Sequence, residues 1–370
     1  MKVLVIGGTG PTGPFIVNGL VERGHTVTVL HSGRHEVDSL PPESVVPHIH
    51  ADPFDAAAFE AALAGERYDA AFVMYGRLRS IAKTLQGQVG HLITIGGIPV
   101  YAGFADADID IWPRGMRIPT REDAPVVAQA SSDRVRRIAE TEARVFELHP
   151  DAVHFRYPYI YGPHQLLPVE WTIVRRALDK RPVLLLSDGG RTIMTTSYSG
   201  NAAHTVLLGF DHLEISGGHA FNVADDRQFD RAQIAEIVAD ELGHAWEIVG
   251  IPHALARPAL PALQSPSSNH QLLDNSKARE MLGYRDWHDP EAALRKTVRW
   301  QRDHLYGRSE EADKRLQDPF DYMAEDRFVA AYRRFFDECD AIAFEREPGF
   351  GYGYYGTKDN PAGKRGSYLE

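Results

Sequence analysis

Four glycines set directly behind an apolar run constrain this chain more than any other stretch of it. Val3, Leu4, Val5 and Ile6 are unbroken hydrophobic residues ending at a glycine, which reads as a short buried strand. Gly7, Gly8, Gly10, Pro11, Thr12 and Gly13 follow, and their glycines satisfy both G-x-G-x-x-G and G-x-x-G-x-x-G. Such a turn brings backbone close to a pyrophosphate, and a helix starting near Pro14 aims its amide donors and positive dipole end at that anion. Either spacing alone is a weak signal. Between a strand and an amphipathic helix it specifies a dinucleotide loop, with Gly7, Gly10, Pro11, Thr12 and Gly13 as its contacts.

The remainder alternates in the way this start demands. Phe15, Ile16, Leu20 and Val21 give the first helix its apolar face, and Gly24 stands where a C-cap belongs. Strands are expected at 26–30, just before His48, at 70–75, 91–95 and 153–155, and helices at 55–64 and 77–87. This is the pattern of a doubly wound parallel α/β sheet. A strand at 219–223 and helices at 169–179, 230–242, 275–282, 290–305 and 328–344 complete the reading. The domain plan is a dinucleotide-binding part over 1–165, its sheet completed by about 190–225, an interleaved substrate region over 166–305, and an extension over 306–370.

At the end of the second strand an NAD-preferring fold carries Asp or Glu for the ribose hydroxyls. Here the residues are His31, Ser32, Gly33 and Arg34, and Ser32 and Arg34 suit the 2'-phosphate of NADP instead. NADP is therefore expected over NAD. Asp52 is placed near the adenine amino group, so His48, His50 and Asp52, though able to share one face of an extended chain, are not read as a metal site. Asp106, Asp108 and Asp110 lack the glycine and the acidic residue that a calcium loop needs. No metal is expected.

The net charge of −11 argues against nucleic acid as a partner, and Cys339 is the only cysteine, which removes disulfides and cysteine-rich zinc sites. Met1 abuts the first strand and no apolar run spans a bilayer, so a cytoplasmic protein with no membrane partner is expected. Phe328, Tyr332, Phe335 and Phe336 form a stripe on the extension's helix that needs burial. The extension has four placements open to it: against a partner protein, over the substrate cleft, between the subunits of a homodimer, or against its own chain. The stripe favours the last.

Residues 1 to about 305 resemble the extended short-chain dehydrogenase/reductases, also called the NAD-dependent epimerase/dehydratase family. The resemblance rests on Gly7 to Gly13, Asp52, Val100-Tyr101, the run from Arg156 to Pro163, the run from Phe221 to Asp225, and the run from Asn275 to Tyr284. It implies a Ser or Thr after the fifth strand, and a Tyr with a Lys four residues on along the next helix. This chain departs from that triad. The hydroxyl position falls on Gly97, and the Tyr and Lys positions fall on Ser132 and Arg136, or on Arg134 and Ile138, depending on register. The chain is thus an atypical member.

If hydride transfer survives, proton exchange must come from other groups. Tyr75, Tyr101, Tyr157 and Tyr159 lie near strand ends, where open α/β sheets bind ligands. Tyr101, Tyr159 and Arg134 are the catalytic candidates. Tyr75, Pro158 and Ile160 are placed beside the cofactor, and Gly97, Tyr157 and His164 beside a small-molecule substrate. The resulting expectation is an NADP-dependent oxidoreductase acting on a small carbonyl or hydroxyl compound. A nucleotide-sugar epimerase or dehydratase with retained cofactor, and a non-enzymatic NADP-binding regulator, are the alternatives.

Overall fold

The computed structural model describes residues 1–33, 37–63, 65–74, 76–104, 115–127, 133–165, 167–259, 268–304 and 316–346. Arg34, Tyr75, the 106–110 acidic run, Ser132 and the Gly- and Tyr-rich tail lie outside them.

The chain alternates strands and helices through its first two hundred residues: β1 Lys2–Ile6, α1 Gly13–Glu22, β2 Thr26–His31, β3 His48–His50, α2 Ala56–Ala62, β4 Tyr68–Val73, α3 Leu78–Leu85, β5 Val89–Gly97, α4 Asp133–Leu148 and β6 Val153–Tyr157. Then come β7 Tyr159–Tyr161, α5 Glu170–Leu178, β8 Val183–Ser187, β9 Thr196–Tyr198, α6 Ser199–Asp211, α7 Leu213–Ser216 and β10 Ala220–Asn222. The last elements are α8 Arg231–Glu241, β11 Glu247–Ile251, α9 Ser276–Leu282, α10 Pro290–His304 and α11 Tyr322–Asp340.

Seven strands form one sheet in the order β10-β6-β5-β4-β1-β2-β3, every pair parallel. The sheet is the doubly wound one expected. Both of its edges, β3 and β10, are three residues long. The segment at His48 is itself the third strand, where the sequence placed that strand just ahead of it. Pro47 explains the difference, because its carbonyl takes the Val29 amide while it has no amide of its own to extend the ladder further back.

Strand alternation decides which residues feed which core. Val3 and Val5 face the layer of α1, α6 and α9, where Ile16, Leu20, Val206 and Leu282 are buried. Leu4 and Ile6 face the other layer, with Phe59 of α2, Ile81 and Leu85 of α3 and Val145 of α4. Each such fully buried side chain contributes about 1.5–3 kcal/mol, so the three-layer sandwich is what holds the strand ends in place. Two further parallel pairs, β7 with β9 and β8 with β11, lie beyond the main sheet. Among the described residues, no helix is long and apolar enough to cross a membrane.

The chain divides into two compact units, Met1–Asp321 and Tyr322–Glu370. The described part of the second is α11 and residues 341–346. The stripe expected to be covered is only half so: Phe328 and Tyr332 are half-buried, while Phe335 and Phe336 are 54% and 58% exposed. The helix also begins six residues earlier than the periodicity placed it and stops at Asp340.

Candidate active site

Ligands of such sheets bind where neighbouring strands send their helices to opposite faces, here between β1 and β4. The glycine loop stands at that point. Gly7 has φ +110 and Gly8 φ +65, conformations that side chains rarely adopt. A Cβ at Gly13 would lie 2.0 Å from the Gly8 carbonyl oxygen, so only glycine lets α1 start against the turn. A Cβ at Gly10 would meet nothing within 4 Å, leaving that edge of the loop open to a ligand. Gly13 N–H is taken by the Gly10 carbonyl at 3.0 Å, and Thr12, 6% exposed, precedes the first turn of α1. These residues fit a dinucleotide diphosphate.

Beside the loop, the C-terminal ends of β5 and β6 open into a cleft of about 1480 Å³. Gly97, Tyr157, Pro158, Tyr159 and Arg134 all line it. Ile160 packs against the apolar core instead, and Ser32 and Asp52 follow the ends of β2 and β3. Asp52 Oδ1 accepts the Phe54 amide at 2.9 Å.

On α4, Arg134 and Ile138 face the cleft together with Arg137 and Thr141, as residues one turn apart must. Arg136 points the other way, donating to Asp133 at 3.0 Å and pairing with Glu140 on the exposed side. Of the two registers left open by the sequence, 134/138 is therefore the one that looks into the cleft. Arg77 and Arg79 at the start of α3 also line it, which sequence reading missed. Arg77 has φ +65 and lies over the Phe54 ring at 5.2 Å, an arrangement with no local sequence signal.

The tyrosines separate by what their hydroxyls do. Tyr101, expected at the cleft, is 1% exposed; its hydroxyl donates to Asn222 Oδ1 and accepts from Arg156, both at 2.6 Å. Burial pushes its pKa up to about 12 against the opposing charge of Arg156. Tyr101 is a brace and not a cleft residue. The Tyr159 ring forms cleft wall, but its oxygen accepts the Val169 amide at 2.8 Å and Gln165 Nε2 at 3.2 Å, which turns it toward α5. Tyr157 differs. Its hydroxyl is buried beside Thr12 of the glycine loop, and burial raises its pKa against the opposing pull of a hydrogen bond with Thr12.

His164 does not join the cleft. It has φ +61, stands edge-on to Trp300 at 5.2 Å, and lines a separate groove with Pro11, Phe15 and Lys296. His154, within β6, lies under the cleft, with Nδ1 2.7 Å from Thr94 Oγ1. A Cβ at Gly96 would lie 2.2 Å from its Nε2. That close approach explains one glycine of the Gly96-Gly97 pair, and it is not readable from sequence.

No family model matches the chain. Several solved structures share the fold. A UDP-galactose 4-epimerase superposes with a TM-score of 0.61 at 20% identity, over 83% of this chain and 100% of its own. A UDP-glucose 4-epimerase from Thermotoga maritima, solved with UDP-glucose, gives 0.64 at 19%, over 82% and 100%. A dTDP-glucose 4,6-dehydratase from Bacillus anthracis, in complex with NAD, gives 0.63 at 14%, over 85% and 99%. At these identities the likeness establishes the fold. A curated relative, the uncharacterised protein YbjS of Escherichia coli (strain K12), is 24% identical over 164 residues, 39% of this chain and 48% of that protein. The chain thus matches about half the length of that relative.

Proposed function

We propose that this protein is an NADP-dependent oxidoreductase of the extended short-chain dehydrogenase/reductase type, moving hydride to or from a small carbonyl or hydroxyl compound without the Tyr/Lys pair. The observation that carries the reading is the Gly7–Gly13 turn, in which Gly7, Gly8 and Gly13 are required by backbone geometry, together with an arginine-lined cleft at the ends of the neighbouring strands.

A bound dinucleotide supplies the hydride. The loop and the start of α1 would hold the diphosphate, and Ser32 and Arg34 would receive the 2'-phosphate. Arg134 and Arg137, with Arg77 and Arg79 opposite, attract and orient an anionic group. Pro158 and Ile95 shape an apolar wall, which keeps water from the reacting carbon.

Tyr157 takes the proton-donor role in place of Tyr101 and Tyr159. Its ring lines the cleft, and its hydroxyl stands beside Thr12 of the glycine loop, outside the braces that hold Tyr101 and Tyr159. Because burial raises its pKa, it stays a phenol at neutral pH, able to donate to a carbonyl oxygen but a poor base for starting alcohol oxidation. This supports the reductive direction.

A nucleotide-sugar epimerase or dehydratase with retained cofactor is the second reading, supported by the fold shared with such enzymes. It needs a base at the outset, and the positions facing the cleft carry Arg134 and Ile138.

Calorimetric titration with NADPH and NADH, then NADPH oxidation with a panel of aldehydes and ketones, tests the proposal. One dinucleotide per chain is expected, NADPH the tighter. Tyr157→Phe should lower kcat by about 10²–10⁴ while cofactor affinity holds. Absence of dinucleotide binding overturns the reading. A dinucleotide that stays with the protein through purification, with turnover of a nucleotide sugar and none of the carbonyl panel, replaces it with the second. Dinucleotide binding with no turnover of either set leaves the non-enzymatic regulator.

A further inference from the structure

We propose that His31, His48 and His50 form a binding site for a divalent transition-metal ion of the zinc, cobalt and nickel class. The site is separate from the cleft, shares no residue with its lining, and does not depend on the function proposed above.

Strand geometry builds it. β2 and β3 are parallel neighbours with His31 directly opposite His50, and His48 lies two residues before His50, on the same face. One nitrogen from each ring can be chosen so that all three lie within 4.8 Å of one another. The rings stand nearly perpendicular, at 82° to 88°, with centroids 4.8 to 6.4 Å apart, so they converge and do not stack. His31 Nε2 and His48 Nδ1 are 3.3 Å apart. That is the edge of a tetrahedron whose metal–nitrogen bonds are about 2.0–2.1 Å long.

Two further observations point to a ligand. His48 Nε2 is buried with no hydrogen-bond partner among the described residues, so no bond through that nitrogen opposes use of Nδ1 toward the cluster. Glu43 Oε1 lies 3.7 Å from His50 Nε2, which places a carboxylate beside the cluster. The donor set is all imidazole, which selects zinc, copper, cobalt or nickel over calcium or magnesium. Asp52, at the end of the same His-x-His-x-Asp run, is engaged by the Phe54 amide and contributes nothing.

Ligation rearranges the hydrogen bonds that His31 makes with Gly33 and His48. Gly33 N–H donates to His31 Nδ1 at 3.1 Å, so the His31 proton sits on Nε2 and is shared with His48. On binding, that proton moves to Nδ1, the Gly33 amide is released, and the ion takes the place between His31 and His48. Gly33, at φ +71, opens the loop after β2, where the amide can turn to solvent. An ion so held clamps the three-residue edge strand β3 to β2.

Cobalt(II) is the probe. Full-length protein without an affinity tag, titrated with Co²⁺, should develop ligand-field absorption that saturates at one equivalent, and Zn²⁺ should bleach it and raise the melting temperature. His50→Ala should weaken Co²⁺ binding by at least about 10-fold, the lower bound even for an outer-shell partner. His50 has a half-exposed side chain, so this variant tests the site without threatening the fold. His212→Ala, at an exposed histidine beside Glu214, should change nothing. No saturable Co²⁺ spectrum, or one unaltered by His50→Ala and His48→Ala, overturns the proposal.

Discussion

Burial holds the His154 imidazole neutral, with its pKa pushed down to about 4 against the opposing pull of Glu142, 3.4 Å away. The consequence for stability has a definite sign. An unfolded histidine titrates near 6.5, so nothing changes above that pH. Between 6.5 and 4 the unfolded chain binds a proton that the native chain refuses, and stability is lost as pH falls through the window. Wild type should therefore lose about 2 kcal/mol more than His154→Gln between pH 7 and pH 5, read by urea denaturation. Equal losses would show that His154 is charged in the native state. The same neighbourhood shows how burial settles roles that residue type leaves open. Arg156 chelates Glu142 at 2.9 and 2.6 Å and lies over the Tyr101 ring at 4.7 Å. Tyr101 and Tyr157 look alike in the sequence, each an aromatic at a strand end. Arg156, the residue before Tyr157 on β6, turns to Tyr101 and makes it a brace, while the Tyr157 hydroxyl is left beside Thr12.

At the scale of elements, local rules read well and long-range ones do not. The strand–glycine–helix start and the parallel alternation are local, because a short apolar run and a turn declare themselves within ten residues. Asp230 likewise forms a capping box with Gln233 at the start of α8, as a sequence pattern can specify. The third strand slipped because three residues carry too little periodicity to register. The His31–His48–His50 grouping was half legible: the His-x-His spacing is visible, but His31 joins only through the β2–β3 register. Which face of α4 meets the cleft was undecided for the same reason, since it depends on how α4 packs against the sheet. On α11 the aromatic spacing was read as a buried stripe, and two of its four rings are exposed. Replacing Phe335 and Phe336 with Ser should shift unfolding free energy by no more than about 0.5 kcal/mol and reduce self-association in light scattering. A large destabilisation would mean that those rings are covered in solution.

For the larger unit as a whole, integrity rests on long-range ties across the end of the chain's ordered path. Arg176 of α5, 6% exposed, donates to both oxygens of Asp318, 2% exposed, at 2.7 and 3.1 Å. Phe320 packs under Arg175 and Arg176 at 4.1 and 5.0 Å. A buried charge stripped of its partner is expensive, so Asp318→Ala should cost about 3–5 kcal/mol in guanidinium unfolding. Asp303→Ala, at the exposed pair with Arg302, should be silent in the same assay. A small effect at Asp318 would mean that the 316–321 segment docks by its apolar contacts alone.

The two three-residue edges of the main sheet carry a consequence of their own. A parallel sheet of seven strands with long free margins would offer rows of unpaired amides and carbonyls to any passing chain. Here β3 and β10 each present a single short rung on the outside, too little to template another strand. The molecule can therefore be held at high concentration without sheets joining margin to margin, and cross-strand polymerisation would first require one of these edges to lengthen.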